Sequence, residues 1–479
     1  MNWVRDVVEA RDPDTLALIE LARDGSRRTW TFGEVARATH AVQRRLGALG
    51  VGRGDVVLTL VGNRPEWVFA LLACFRMGAP VLPCTEQLRE KDLRLRIVAT
   101  RPRAIVVDGR NLAELEACEP ECPLLVVPDP TLLAEEGPAP AAAELDAEDP
   151  CLLTFTSGTE GEPKAVVHVQ RYLTGQEVQA EHWFGPVAGD VVWCTAASGW
   201  SKSARNSFIA PWLRGATALL HDGRFDPAER LEILAAERVN VLCMAPTEYR
   251  LIAKRATIGE LPALRRLVAA GEALNPEVLD VWRAATGLEI ADGFGQTETG
   301  QLTGVPLGEP ARPGSMGKPL PGMRLWIDDG ELVVDPSTVP TFFRGYLGRA
   351  PAPRDRPWRT GDRVREEDGW LYFEGRSDDV IVSSGYRIGP FEVESALVSH
   401  PAVTEAAVVG APDPERGEIV RAVVVLRDGH AGDAAMSRAL QDHVKATTAP
   451  YKYPRRVDFV AELPKTASGK VKRAELRAR

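Results

Sequence analysis

The stretch that most constrains this chain is Thr154-Phe155-Thr156-Ser157-Gly158-Thr159-Glu160-Gly161-Glu162-Pro163-Lys164-Ala165-Val166-Val167-His168. An apolar run over 151–155 reads as a short buried strand, and it empties into a loop of hydroxyls, glycines and one lysine. Glycine lets the backbone come close to an anion. The Thr156, Ser157 and Thr159 hydroxyls and exposed N–H groups donate hydrogen bonds, and Lys164 adds a point charge. The loop therefore suits phosphate. It lacks the G-x-x-x-x-G-K-[ST] spacing of an ordinary P-loop, and taken alone it also fits a polar surface turn.

At 479 residues the chain exceeds one core and should split into a large unit and at least one smaller one. A net charge of −9 and a pI near 5.5 leave no broad basic field for a nucleic-acid backbone, so no nucleic-acid partner is expected. The seven cysteines are odd in number and scattered, with Cys118 and Cys122 too isolated for a zinc site, which points to a reduced cytoplasmic setting. Met1-Asn2-Trp3-Val4-Arg5-Asp6 runs straight into charged sequence, and no window of about 18 apolar residues occurs. Neither a signal peptide nor a membrane span is expected.

Residues 1–110 alternate between strand-like and helix-like patterns. Thr29-Trp30-Thr31-Phe32 introduces a helical stretch to 49, with Val35, Ala36, Ala41, Val42 and Leu46 approximating one apolar face. A strand over 55–61, a helix over 66–77 and a strand over 80–82 follow, the βαβ rhythm of a parallel sheet. Asn63-Arg64-Pro65-Glu66-Trp67 reads as a helix start with an aromatic core plug. Residues 135–149 turn to Ala, Pro and Glu without apolar period, a linker or surface loop. Alternation resumes over 151–330, with strands expected at 191–194, 218–220 and 239–244, and after Gly330 short strands and turns run to Gly375. A further strand at 380–382, helix at 390–400, strands at 403–409 and 422–426 and a helix reaching 442 make a second α/β unit of ordinary domain size.

The loop at 154–168 is similar to the phosphate-binding signature of the acyl-adenylate-forming superfamily, which includes acyl-CoA synthetases, luciferases and peptide-synthetase adenylation domains. Five further stretches follow in that superfamily's order: Ala270-Gly271-Glu272-Ala273, Asp292-Gly293-Phe294-Gly295-Gln296-Thr297-Glu298, Arg359-Thr360-Gly361-Asp362, Gly375-Arg376-Ser377-Asp378-Asp379 and Pro464-Lys465-Thr466-Ala467-Ser468-Gly469-Lys470. The resemblance implies an α/β fold with a large N-terminal adenylation domain over 1–377, built from parallel-sheet subdomains and a β-rich portion. A small mobile α/β lid over 378–479 completes it, hinged at Asp378.

Activating a carboxylate with ATP brings one anion onto the α-phosphorus of another, so the site must suppress repulsion and align the attack. The resemblance implies that Glu298 holds Mg²⁺, which prefers carboxylate and phosphate oxygens. Lys470 would bridge the carboxylate and the α-phosphate, with Lys465 facing solvent, and Lys164 would act in the phosphate loop. Thr156, Ser157, Gly158, Thr159 and Gly161, then Gly271, Glu272 and Ala273, and then Asp292, Gly293, Phe294, Gly295, Gln296 and Thr297 would surround ATP or AMP. In that set Phe294 lies on the adenine face and Asp292 at its edge, while Asp362 takes the ribose hydroxyls and Arg376 sits near ribose and phosphate. Ala273 stands where the family more often has Pro, which loosens that turn.

Resemblance narrows to the medium-chain acyl-CoA synthetases through Ser383-Ser384-Gly385-Tyr386-Arg387-Ile388-Gly389-Pro390-Phe391-Glu392-Val393-Glu394, Pro412-Asp413-Pro414-Glu415-Arg416-Gly417-Glu418 and Thr447-Thr448-Ala449-Pro450-Tyr451-Lys452-Tyr453-Pro454. It implies that CoA binds along Ser384 and Gly385, its nucleotide held by Arg387, Arg416, Lys445 and Tyr453. Gly199-Trp200-Ser201-Lys202-Ser203 matches the family's Gly-Trp-x-Lys-Ser and puts Trp200 on the acyl or pantetheine path, a core tryptophan being the alternative. His168 and His221 are expected to be structural. The expected reaction is AMP-forming ligation of a small to medium carboxylic acid to CoA, with loading of a carrier-protein phosphopantetheine as the alternative. The short stretch between Asp335 and Trp358 and the brief N-terminus depart from the family pattern and leave homo-oligomerisation open.

Overall fold

At Thr31 the chain passes from strand to helix. The Thr31 hydroxyl accepts from the Glu34 amide at 3.3 Å and Glu34 Oε2 accepts from the Thr31 amide at 2.8 Å, a capping box that starts the helix Phe32–Ala48. Its buried face runs through Val35, Ala38, Val42 and Leu46; Ala36, expected on that face, is only partly covered because Ala38 has the right helical offset. Pro65 opens the helix Pro65–Met77 and left-handed Gly78 closes it, with Trp67, Phe69 and Phe75 buried, as the turn at 63–67 led us to expect.

The computed structural model describes residues 1–129, 131, 137–156, 164–271, 276–376, 379–383, 386–465 and 471–478. Four sheets organise them. In a seven-stranded sheet Val57–Leu60 lies between Val81–Cys84 and Ala104–Asp108, parallel to both, and Pro150–Thr156 joins parallel to Val81–Cys84 and antiparallel to Lys164–Val169. A nine-stranded sheet has a parallel centre of Thr217–His221, Val191–Cys194, Val241–Met244, Arg266–Ala270 and Ile290–Gln296, which turns back into Gly300–Gly304. One core joins Val57, Val81 and Val106 of the first sheet to Leu18, Ala218 and Leu220 of the second, with Phe32, Trp67 and Phe69 between them. Burying such apolar area supplies the main drive for folding.

The β-rich portion is a four-stranded antiparallel sheet of Leu325–Asp328, Glu331–Val334, Trp358–Glu367 and Trp370–Arg376. The last sheet is built on the hairpin Val403–Asp413 with Gly417–Leu426, flanked by Ile381–Ser383 paired with Tyr386–Ile388 and by Arg456–Phe459, and covered by the helices Pro390–Val398 and Ala434–Thr447. The proposed boundary residue Asp378 lies outside the described residues.

Two expectations need amendment. The strand expected over 55–61 is the shorter Val57–Leu60, and the helix expected to reach 442 runs on to Thr447. Residues 137–149 run as a surface loop, one of the two readings of that stretch, and hydrogen bonds tie it down: Asn2 Nδ2 donates to Arg76 O and Ala143 O at 2.8 and 2.9 Å, and Gln43 Nε2 to Ala141 O at 3.1 Å. The strands Leu16–Leu21 and Arg27–Thr31 were missed, since Leu16–Leu21 finds its parallel partner only in Thr217–His221. Among the described residues no helix is long and apolar enough to cross a membrane, and all seven cysteines are free thiols.

Candidate active site

The two strands that bracket the loop at 157–163 register Thr156 opposite Lys164, and the Thr156 hydroxyl donates to Lys164 O at 3.4 Å. On the far edge Gly345–Tyr346 pairs with Val166 and Val167. Tyr346 therefore stands beside the phosphate strand. Its hydroxyl donates to Glu298 Oε1 at 2.9 Å, and Lys164 Nζ lies 5.5 Å from its ring centroid. Phe343 N donates to Glu298 O at 2.7 Å and holds the same segment in place. Burial, then the Glu298 charge, pushes the Tyr346 phenol up, so it stays a proton donor.

Asp362 is almost fully buried on the strand Trp358–Glu367, directly opposite Arg376. It accepts from Gln296 Nε2 at 2.6 Å and from Arg376 Nη1 at 3.2 Å. Both donors also reach Thr360 O, at 2.7 and 3.1 Å. Trp358 Nε1 donates to Gln296 Oε1 at 3.3 Å. Gln296, Asp362 and Arg376 thus form one locked cluster, in which two donors satisfy a buried carboxylate.

Asp292 and Phe294 project from the strand Ile290–Gln296. Burial raises the Asp292 carboxyl to about 8, opposed by the Gly293 amide at 2.8 Å and by the Lys202 charge. It is protonated at neutral pH and can donate a hydrogen bond. Phe294 is half-buried, its amide donating to Thr303 Oγ1 at 3.2 Å. Lys202 Nζ donates to Ala270 O at 2.9 Å, at the end of the strand that leads into Gly271. Trp200 is partly exposed, its carbonyl accepting from the Ser203 hydroxyl at 2.7 Å, so it is no fully buried core residue.

On the last sheet Ser383 pairs with Gly417, next to Arg416, whose amide donates to Asp413 Oδ1 at 3.0 Å. Lys445 Nζ lies 4.6 Å above the Tyr453 ring and pairs with Asp442 at 2.8 Å. Tyr386 stacks on Tyr451 with ring centroids 4.4 Å apart, drawing the segments of Arg387 and Tyr453 together. The Arg387 side chain, and Ser157, Gly158, Thr159, Gly161, Glu272, Ala273, Asp378, Ser384, Gly385 and Lys470, lie outside the described residues. Lys465 pairs with Glu405 at 2.6 Å.

Both histidines set aside as structural are buried, and burial lowers each below the ordinary imidazole range. Sequence reasoning missed Tyr346 and Lys202 as site residues. Lys202 stood in a quoted motif, whereas Tyr346 fell in the stretch read only as short and rich in Pro and Arg.

Three comparisons bear on this geometry. The AMP-binding enzyme family matches residues 5–346 and the AMP-binding enzyme C-terminal domain matches 392–470. The uncharacterized acyl-CoA ligase YtcI of Bacillus subtilis is 38% identical over 491 residues, covering 97% of this chain and 93% of that protein. The mouse mitochondrial acyl-coenzyme A synthetase ACSM4 is 39% identical over 514 residues, covering 99% of this chain and 88% of that protein. The crystal structure of the anthranilate CoA ligase AuaEII with anthranoyl-AMP superposes with a TM-score of 0.89 at 28% identity, covering 100% of this chain and 97% of that one. With both family regions matched in order around the Tyr346–Glu298 and Gln296–Asp362–Arg376 clusters, the chain belongs to the AMP-binding enzyme family.

Proposed function

We propose that this chain is an AMP-forming acyl-CoA ligase for a small to medium carboxylic acid. The observation that carries the reading is the Tyr346 bridge, which sets Glu298 beside Lys164 at the mouth of the phosphate loop. In the first half-reaction a carboxylate oxygen attacks the α-phosphorus of ATP, the bond to the β-phosphate oxygen breaks, and pyrophosphate leaves with acyl-AMP formed. Lys164 and Lys470 stabilise the charge that builds there, more in the transition state than before it. Asp362 and Arg376 hold the ribose, Phe294 covers the adenine face, and protonated Asp292 donates to its edge.

Glu298 suits Mg²⁺: Tyr346 occupies one carboxylate oxygen and the other has no partner among the described residues, while Mg²⁺ typically takes one or two carboxylates with phosphates and water. Bound there, the ion would neutralise phosphate charge.

In the second half-reaction the CoA thiol loses its proton to solvent and its sulfur attacks the acyl carbonyl, the bond to the phosphate oxygen breaks, and AMP leaves. Ser384 and Gly385 admit the pantetheine arm, and Arg387, Arg416, Lys445 and Tyr453 hold the nucleotide end. A lid over 378–479 turns about Asp378 to exchange Lys470 for this face. Free thiols throughout agree with a cytoplasmic setting.

The test is AMP formation from ATP with a panel of acids, with and without CoA. CoA-dependent AMP from at least one acid is expected. Pyrophosphate exchange with no response to CoA would replace this reading with carrier-protein loading, and Lys470→Ala should abolish acyl-AMP formation yet retain thioester formation from supplied acyl-AMP.

A further inference from the structure

A guanidinium stays ionised at any pH at which a protein folds. Burying one without a counter-charge costs several kcal/mol. Four arginines are fully buried among the described residues: Arg76, Arg205, Arg230 and Arg421. Arg76 pairs with Glu9 at 2.6 Å, Arg230 with Glu248 at 3.7 Å and Arg421 with Asp458 at 2.6 Å. Arg205 differs. It is 5% exposed, has no carboxylate partner among the described residues, and meets only neutral groups there, a long hydrogen bond from Nη2 to Gln301 Oε1 at 3.4 Å and the Tyr172 hydroxyl. Its Nε and Nη1 have no acceptor among the described residues.

Its surroundings are polar and neutral. His168 stacks on Tyr172 with centroids 4.0 Å apart, both within electrostatic reach of Arg205, and neither ring nitrogen of His168 has a partner among the described residues. Asn206 accepts from Gln179 Nε2 at 3.1 Å, while Gln179 Oε1 is unpartnered among the described residues. Nothing in this group neutralises the guanidinium.

The position of Arg205 tells what could. Gln301 pairs across the sheet with Gly295 and packs against Gly293, where a Cβ would meet Gln301 Nε2 and lie 2.8 Å from Thr303 O. Arg205 is thus one side chain behind the strand carrying Asp292 to Glu298. Lys202, three residues earlier, reaches Ala270 O beside Gly271, and Trp200 begins the same turn. An acid whose reacting carboxylate meets ATP at Glu298 and Lys164 would point its far end into this region.

We propose that the acid activated by this chain carries a second carboxylate at its far end, and that Arg205 receives it as the missing counter-charge. The inference rests on the acyl-CoA ligase reading and names its substrate class. An apolar tail would leave Arg205 uncompensated in a drier site, whereas a carboxylate offers its free Nε and Nη1 two acceptors in the fork geometry that arginine favours.

The test measures CoA-dependent AMP formation by the wild-type chain with straight monocarboxylates and with dicarboxylates matched to them in length. At least one dicarboxylate should exceed its matched monocarboxylate in kcat/KM by about tenfold or more. Arg205→Leu should remove that preference, mainly by raising the KM for the dicarboxylate, and Arg205→Lys should keep part of it. A wild-type preference for the monocarboxylates throughout, with Arg205 satisfied by internal water, overturns the inference and leaves the ligase reading standing. No CoA-dependent AMP from either series overturns both. The wild-type comparison decides the matter even where a variant fails to fold.

Discussion

The Tyr346 hydroxyl donates to Glu298 Oε1 at 2.9 Å across 48 residues of sequence. This bond ties the edge strand beside the phosphate loop to the segment that ends the strand Ile290–Gln296, and it fixes one oxygen of the carboxylate assigned to Mg²⁺. A hydrogen bond to a charged group contributes about 1.5–3 kcal/mol.

Tyr346→Phe keeps the ring against Lys164 and removes only that donor. AMP formation should fall roughly tenfold to a hundredfold, with a higher Mg²⁺ requirement. Initial rates over a Mg²⁺ titration check this, and rates equal to wild type would remove Tyr346 from the site.

Asp362 anchors two donors in a buried position, Gln296 Nε2 at 2.6 Å and Arg376 Nη1 at 3.2 Å. Asp362→Ala should raise the KM for ATP by about tenfold or more, since it removes a charged acceptor and misplaces Arg376, while the KM for the acid changes by less than about twofold. Steady-state kinetics with each substrate varied separate the two. An equal rise in both would argue for general disruption.

Asp292 makes stability depend on pH in a stated direction. Below the ordinary carboxyl value of 3.8 the group is protonated in both folded and unfolded chain; above it the unfolded chain ionises while the folded one holds its proton up to about 8. The folded chain then binds more protons, so its stability falls as pH rises between those values and levels off beyond them. Asp292→Asn lacks this term and should gain on wild type across that window. Urea midpoints of both proteins from about pH 4 to about pH 9 would show it; a constant offset would mean that the carboxyl titrates normally.

Gly199 sits at φ +91°, with the Cys84 carbonyl carbon 2.7 Å from where a Cβ would be and the Thr85 amide closer still. Both neighbours are backbone, so neither can swing aside. Gly199→Ala should destabilise the fold by about 2 kcal/mol or more and misplace Trp200 and Lys202. Denaturant unfolding measures the first effect and acid KM the second; a shift under about 0.5 kcal/mol would show that the turn relaxes freely.

Much of the fold was legible because its signals are local. The helix Pro65–Met77 announces itself by Pro65 and a dense apolar run, and the strand Pro150–Thr156 by an apolar run that stops at hydroxyls. The strand Leu16–Leu21 was not legible, because it is held between a near neighbour, Arg27–Thr31, and a partner two hundred residues on, Leu18 against Ala218. Ala36 was expected on the apolar face of its helix and is only partly covered there, whereas Ala38, not named from the sequence, is buried.

The sequence by itself determined the α/β class, the motif order and the family, since each motif is a contiguous run whose residue types declare their chemistry. Glu298 and Lys164 could be named from it. Only the tertiary structure decided that Tyr346 joins them, that Gln296 shares Asp362 with Arg376, and that Arg205 is buried without a counter-charge among the described residues. The reason is physical: whether a charge is paired or stranded depends on everything packed around it. For Arg205 those neighbours, His168, Tyr172 and Gln301, come from far along the chain and meet only when the sheets close.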